Sequence, residues 1–317
     1  LPHTWNAIDG QDGRGDYYRG ACWYAKEFPT PPDAEGKKLF LEVLAVSLSG
    51  KVFVNGREAA YHEGGFSSFT AEITGYLHPA ASKDPNLLVI CADNSDRPHI
   101  YPRMADFTFY GGLYRGVNLI VVHFDLEFWG APGLSVTSLP EGDCAFLKLQ
   151  TWIKHADDDY TVRYLITDAA GEVTGEAWRP AGDPGTSLFL PKAHLWQGVE
   201  DPYLYTCTAS LVYRNETVDE ISCRFGIRSF SVDPEKGFFL NGKPMMLRGV
   251  SRHQDRLYRG NALTREEHYE DAGLIREIGA NTVRLAHYQH SRDFYDACDE
   301  YGFVVWAEIP YISSQSE

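Results

Sequence analysis

The feature that most constrains this chain is a change of rhythm near Asp233. Before it, apolar and β-branched residues recur in short runs between turn signals, the period of half-buried strands. After it, strand-like runs alternate with helical ones. One core cannot serve both patterns over 317 residues, so the chain is read as domains in series, mainly β and ending in an α/β segment.

Residues 1–122 form the first block. Its runs include Leu39-Phe40-Leu41-Glu42-Val43, Lys51-Val52-Phe53-Val54 and Leu87-Leu88-Val89-Ile90, and a strand over 113–122 closes it. Val54-Asn55-Gly56-Arg57 predicts a tight hairpin, because both central residues of such a turn need positive φ. Turn-punctuated short strands with little helical periodicity predict a sandwich or jelly roll. Residues 123–231 restart the rhythm, with strands over 145–153, 160–167, 205–213 and 221–225, the size and strand count of an immunoglobulin-like sandwich. Within it, Asp157-Asp158-Asp159 is read as a solvated turn, since no further cation ligands follow at regular offsets.

Residues 232–317 form the third block. Asn241-Gly242 marks a second hairpin. Thr264 with Glu267 is a capping box opening a helix that Gly279 ends. A strand over 281–285 follows. Phe294, Ala297, Cys298 and Tyr301 then share one face of a helix that starts near Ser291 and stops at Gly302, and a buried strand over 303–307 comes next. Strand, helix, strand, helix, strand with short loops implies parallel pairing and right-handed crossovers. A closed (β/α)8 barrel takes about 250 residues, so this block is either a small open sheet or the opening of such a barrel. In the second case it is expected to need the remaining strands, or self-association, to become well ordered.

Charge removes one class of partner. Lys and Arg number 29 against 44 Asp and Glu, a net charge of −15, whereas a nucleic-acid surface needs a basic footprint. No apolar run approaches a bilayer span, and no membrane partner is expected. Six cysteines without a CxxC spacing are read as reduced thiols, which favours a cytoplasmic protein. The start at Leu1 suggests that a natural N-terminus has been removed.

Chemistry concentrates in two stretches. Arg248-Gly249-Val250-Ser251-Arg252-His253-Gln254-Asp255 and Val283-Arg284-Leu285-Ala286-His287-Tyr288 each end a predicted parallel strand, where ligands of α/β domains bind. His253 and His287 suit sugar hydroxyls, and Arg284 can hold a carboxylate ionised. The plain alternative makes the histidines surface-loop residues and Arg284 an internal ion-pair member. A second constellation runs from Asp93-Asn94-Ser95-Asp96 through Tyr101 to Gly112. A carboxylate among aromatics there can accept bonds from vicinal hydroxyls while a ring packs on the C–H face. The plain alternative is a turn carboxylate bonding its own backbone. His3, Trp5 and the loop from Asp16 to Gly20 fit the same carbohydrate reading weakly. GxSxG, HExxH, Walker and dinucleotide motifs are absent from the sequence.

Eight segments in order carry a resemblance: LPHTWN at Leu1, DFTFYGGLYRGV at Asp106, DPYLYTCTASL at Asp201, FGIRSF at Phe225, FFLNGKPMMLRGVSRH at Phe238, NTVRLAHY at Asn281, YDACDEYGFVVWAEIP at Tyr295, and the closing YIS. Together they resemble the multidomain glycoside hydrolases of family 2, which include β-galactosidases, β-glucuronidases and β-mannosidases. The resemblance implies a jelly-roll sugar-binding domain, an immunoglobulin-like domain and the start of a catalytic barrel. It implies substrate-binding roles for Asp106, His253, His287 and Arg284, with Asp106 reaching into the barrel mouth and Arg284 beside the nucleophile. It implies retaining chemistry, in which two carboxyl groups about 5–5.5 Å apart act as acid/base and nucleophile. Those glutamates belong to barrel strands four and seven and are expected beyond Glu317. No catalytic residue is therefore assigned in this chain, which is expected to be silent alone. Glu308 is given a supporting place.

Ile309-Pro310-Tyr311-Ile312-Ser313-Ser314 lacks the Glu and His that bind magnesium in some β-galactosidases, so no cofactor is expected. The resulting expectation is an exo-β-galactosidase trimmed at both ends, acting on a β-linked sugar or oligosaccharide and forming a homo-oligomer at full length. A β-glucuronidase or β-mannosidase of the same family is the first alternative. A non-catalytic carbohydrate-binding β-sandwich is the second, and an adhesion module of two sandwiches the third.

Overall fold

The structure is a computed structural model that describes residues 1–9, 17–123, 127–128, 133–154 and 159–312. Asp16, Asp157, Asp158, Ser313, Ser314 and the closing residue Glu317 therefore lie outside the described residues.

In the first block two antiparallel sheets face each other as a jelly roll. One carries Ala21–Phe28, Asn86–Asp93, Ser49–Val54 and Arg57–Glu63 in that spatial order; the other carries Phe69–Glu72, Lys37–Val43 and Val117–His123. Alternation explains the stacking. Val52, Val54, Ile90 and Ala92 point inward from one sheet onto Leu39, Leu41, Val43 and Ala71 of the other. The predicted hairpin is present, with Val54 opposite Arg57 and with Asn55 and Gly56 at φ 51 and 78°. The closing strand begins at Val117, four residues later than the sequence pattern predicts. Leu113 and Tyr114 are buried outside any strand, with the Tyr114 hydroxyl donating to the Gly65 carbonyl. Leu113 joins the core between the two sheets, and Tyr114 packs against Ala45 and Ala262, so their burial comes from packing without strand pairing.

The second block is a sandwich of the immunoglobulin type. A three-stranded sheet of Thr186–Leu190, Cys144–Thr151 and Leu134–Glu141 covers a four-stranded one of Val173–Pro180, Tyr160–Thr167, Tyr205–Tyr213 and Glu216–Phe225. Leu147, Leu149, Val162, Tyr164, Ile166, Ala209 and Leu211 fill its core. The Tyr164 hydroxyl, which would be costly to bury alone, bonds Thr151 Oγ1 at 2.9 Å and the Pro184 carbonyl at 2.8 Å. All six cysteines are free thiols.

The third block opens with the hairpin of Gly237–Leu240 and Lys243–Pro244, turning at Asn241 and Gly242 with φ 50 and 74°. Three parallel strands follow, Gly249–Arg252, Thr282–Leu285 and Val304–Ala307, linked by α1 (Arg265–Glu277) and α2 (Arg292–Tyr301) as in the start of a (β/α)8 barrel. Thr264 and Glu267 form the reciprocal capping box, and Ser291 caps α2. Gly302 ends α2 at φ 81°, and a Cβ there would lie 2.2 Å from the Gly198 carbonyl oxygen. The residue is therefore glycine both for its dihedral and for its contact with the second sandwich.

The helices cover one face of this sheet only. Val283, Leu285, Phe294, Ala297 and Cys298 are fully buried there. The third strand is not buried throughout as its apolar run predicts, because Trp306 is 65% exposed. Trp306 shares the opposite face with Ser251 and Arg284 in register, and that face is open among the described residues. A continuous apolar run reads as buried on both faces only if both are covered.

On the covered face, His268 of α1 and His290 before α2 are buried beside Arg252. Burial, reinforced by the Arg252 charge, pushes the His268 imidazole down to about 3 and holds His290 well below its ordinary value. The unfolded chain binds protons near pH 6.5 that these native imidazoles refuse, so their stabilising contribution is complete above pH 6.5 and is lost as pH falls. Lowering pH from 7.5 to 5.5 is expected to cost about 1–1.5 kcal/mol for each imidazole. Urea unfolding at the two pH values checks this, and a His268→Gln variant is expected to remove part of the slope.

Candidate functional site

The loop between Asp93 and Val117 leaves the first sandwich and reaches the C-terminal ends of the parallel strands. Two fully buried amides pin it. Asn94 Nδ2 donates to the Phe109 carbonyl at 2.9 Å, and Asn6 Oδ1 accepts the Gly111 N–H at 2.8 Å. Sequence reasoning missed both roles, because an asparagine in a turn looks the same whether its amide is buried or solvated. At the far end Arg115 donates to the Gln289 carbonyl at 2.6 Å. The Tyr110 hydroxyl donates to Asp255 Oδ2 at 3.1 Å; burial first, and then the Asp255 charge, keep that phenol protonated. Gly260, at φ 54°, makes room for the Tyr110 ring, since a Cβ there would approach it to 2.7 Å.

The loop delivers Phe107 against the barrel residues. Its ring centre lies 5.4 Å from that of His253, 6.2 Å from His287 and 5.3 Å from Tyr288. The two imidazoles are 5.1 Å apart, edge to face, and Phe66 from the first sandwich stacks on Tyr288 at 4.2 Å. Asp106, exposed beside Phe107, is close enough for its charge to act on His253. Burial is the largest influence on His253 and holds it below its ordinary value. Asp255 and Asp106 pull upward, while His287 and Arg284 add to the depression. The imidazole is therefore neutral at pH 7.

Each barrel residue is placed by its strand end. Arg284 lies in the second parallel strand, on the open face, with its Nε 2.6 Å and one terminal nitrogen 3.2 Å from the Glu308 carboxylate. The same nitrogen is 3.0 Å from His287 Nδ1, and that nitrogen is 3.0 Å from Glu308 Oε2. Burial raises the Glu308 carboxyl, but bonds from Arg284 and His287 outweigh it and hold it below the usual carboxylate value. Of the four residues singled out in the sequence, His253 and His287 thus meet beside Phe107, Arg284 contacts His287, and Asp106 precedes Phe107 within reach of His253 by its charge. Arg284 is at once a strand-end cation and an ion-pair member, so both of its readings hold.

The other sequence candidates do not join them. Asp93 accepts Ser95 N–H at 2.8 Å and Arg97 at 2.7 Å, the plain turn reading. His3 bonds the Tyr24 hydroxyl at 2.8 Å, and Trp5 packs over Gly111, where a Cβ would meet its ring at 2.0 Å. Phe107 and Tyr110 lay within the aromatic constellation and Tyr288 within the second strand-end stretch without individual roles, and Phe66 went unassigned, because aromatic character alone does not separate a site from a core. Among the described residues no group of three or more His, Cys, Asp or Glu could hold a metal. Larger hollows lie elsewhere, one of about 550 Å³ among Tyr24, Leu41, Ile90 and Leu119 and one of about 650 Å³ beside His194 and Tyr203. The first is mostly apolar, and the second, lined by Asp143, Asp168, Lys192 and His194, includes none of the four candidate residues. The arrangement can offer two imidazoles, an exposed carboxylate and an aromatic face to a polyhydroxy ligand.

Comparison with known proteins agrees with this chemistry. Profiles of glycosyl hydrolases family 2 match residues 7–122 (its sugar binding domain), 140–228, and 232–316 (its TIM barrel domain). A β-glucuronidase of Bacteroides fragilis is 37% identical, over 98% of this chain and 46% of its own length. A β-galactosidase of Thermoanaerobacter pseudethanolicus is 28% identical, over 98% of this chain and 42% of its own. The crystal structure of an FMN-binding β-glucuronidase from Facaelibacterium prausnitzii L2-6 superposes with a TM-score of 0.92 at 50% identity, covering 98% of this chain and 48% of that one. The chain spans about half the length of these relatives. With all three profiles matched in order, and with the loop of the first sandwich meeting the barrel strand ends, the chain belongs to glycosyl hydrolase family 2.

Proposed function

We propose that the protein is a retaining exo-β-glycosidase that takes β-D-glucuronides, with Asp106, His253 and His287 binding the hydroxyls of the terminal sugar and Arg284 positioned beside the nucleophile. The observation that carries the glycosidase reading is the meeting of the Asp106–Phe107 loop with two imidazoles from separate barrel strands. A binding module confined to the first sandwich has no use for those imidazoles, and an adhesion module has no use for a convergent polar group.

The choice of sugar rests on the relatives. Those at 50% and 37% identity bear the name β-glucuronidase, whereas the name "putative β-galactosidase" is borne at 36% and "β-galactosidase" at 28%. The galactoside expectation gives way to the glucuronide on that ground. Glu308 is spent on Arg284 and His287, so the two reacting carboxyls are sought at later barrel strands, past Glu317, as the family resemblance implies. The test is hydrolysis of aryl β-D-glucuronide, galactoside and mannoside by the full-length gene product. At least tenfold higher kcat/KM on the glucuronide is expected. A galactoside preference would restore the original expectation, and no hydrolysis of any of the three would remove the glycosidase reading.

A further inference from the structure

The two imidazoles differ in what holds them. His253 Nδ1 lies 3.4 Å from the Tyr288 hydroxyl. That hydroxyl is buried and already accepts the Gln254 N–H at 3.3 Å. Its own hydrogen needs an acceptor, because a buried hydroxyl left unpaired is costly. Among the described residues the acceptor bonded to it is His253 Nδ1, which must then be bare. A neutral imidazole carries one hydrogen, so that of His253 is on Nε2.

His287 faces the opposite demand. Its Nδ1 is 3.0 Å from Glu308 Oε2, which only accepts, and 3.0 Å from an Arg284 nitrogen, which only donates. One atom cannot serve both. Arg284 spreads its charge over three nitrogens and has other acceptors, both Glu308 oxygens and Ser251 Oγ at 3.4 Å. Oε2 concentrates charge on one atom, and its bond from Arg284 is the long one, at 3.2 Å. A bare Nδ1 would set a lone pair against that oxygen, whereas a protonated Nδ1 makes a charge-assisted bond. The hydrogen of His287 therefore belongs on Nδ1, leaving Nε2 bare.

We propose that His253 and His287 are held in opposite tautomers, a donor Nε2–H and an acceptor Nε2, and that Tyr288 and Glu308 are the positioning residues that set them. A sugar hydroxyl both gives and takes a hydrogen bond, so a donor and an acceptor 5.1 Å apart between ring centres suit a hydroxyl or a vicinal pair without charging either ring. This use of the pair rests on the glycosidase reading; the tautomers themselves do not.

Long-range ¹H–¹⁵N correlation of the ¹⁵N-histidine-labelled protein at pH 7.5 tests it, with the two residues assigned through His253→Gln and His287→Gln. The expected spectrum shows a bare Nδ1 and protonated Nε2 for His253 and the reverse for His287. Glu308→Ala is expected to move His287 to the Nε2–H form and to leave His253 unchanged. The same tautomer at both residues, or a His287 protonated at both nitrogens, overturns the proposal, and the unsubstituted protein alone can give that answer. No sugar enters the measurement, so it stands or falls separately from the glucuronide assay.

Discussion

Arg252→Ala is expected to destabilise the α/β segment by about 3–5 kcal/mol, the cost of removing one partner from a buried ion pair. Arg252 ends the first parallel strand and is 6% exposed. It faces the helices, unlike Ser251 before it. Its Nε donates to Asp271 Oδ2 of α1 at 3.0 Å, and its terminal nitrogens reach His268 of α1 at 3.1 Å and His290 at 3.2 Å. The guanidinium lies 3.8 Å above the Phe294 ring of α2. One side chain thus ties strand and both helices together. Burial lowers the proton affinity of Arg252, and Asp271 offsets that cost.

Alanine would leave the Asp271 carboxylate with Arg256 alone, at 2.7 Å, and would leave both imidazoles without a donor. It would also open a void over Phe294. Arg252→Met fills that void and is expected to lose less, because the guanidinium stem and ring packing are partly kept. Urea unfolding followed by hydrogen exchange in α1 and α2 measures the difference. A loss below about 1 kcal/mol for Arg252→Ala would mean that the cluster is held by its apolar contacts.

Asp106→Ala is expected to do the reverse. Asp106 is exposed on the loop, so its removal is expected to change stability by no more than about 0.5 kcal/mol. In the full-length protein the same change is expected to lower kcat/KM on the glucuronide by roughly 10²- to 10³-fold, the scale of losing one preorganised charged hydrogen-bond partner in a transition state. Asp106→Asn, which keeps an acceptor without the charge, is expected to fall between. The two substitutions together separate groups that hold the fold from groups that hold the ligand. Equal activity in Asp106→Ala would show that the aspartate is near the imidazoles without serving them.

Local grammar was legible where backbone chemistry dictates it. The two Asn-Gly turns, the Thr264 capping box and the αL stop at Gly302 are each fixed by a dihedral or an orphan N–H that few residues satisfy. Features set by distant partners were not. Trp306 reads as core and is exposed, because its burial depends on what covers the sheet. Leu113 and Tyr114 read as strand and are instead buried outside it, Leu113 in the core of the first sandwich and Tyr114 against Ala45 and Ala262. Arg252 and His253 are adjacent in the sequence, yet Arg252 is buried against the helices while His253, just past the strand end, meets Phe107 and His287. The four candidate residues were singled out through their motifs, but the contacts around them were not legible. Tyr110 with Asp255, Phe66 with Tyr288, and Arg284 with Glu308 all join segments far apart in the chain. The choice among galactoside, glucuronide and mannoside was not legible in the segments that identify the family, and the glucuronide proposal rests on the named relatives instead.

The central claim is that an aspartate from the first sandwich and imidazoles from two barrel strands bind one sugar. A crystal structure of the full-length protein with an unreactive S-linked β-D-glucuronide tests it most directly. The expected result is a terminal sugar with one hydroxyl within about 3.2 Å of the Asp106 carboxylate and another within that distance of His253 or His287. A sugar held by the imidazoles with Asp106 out of reach, or bound away from all three, would contradict it.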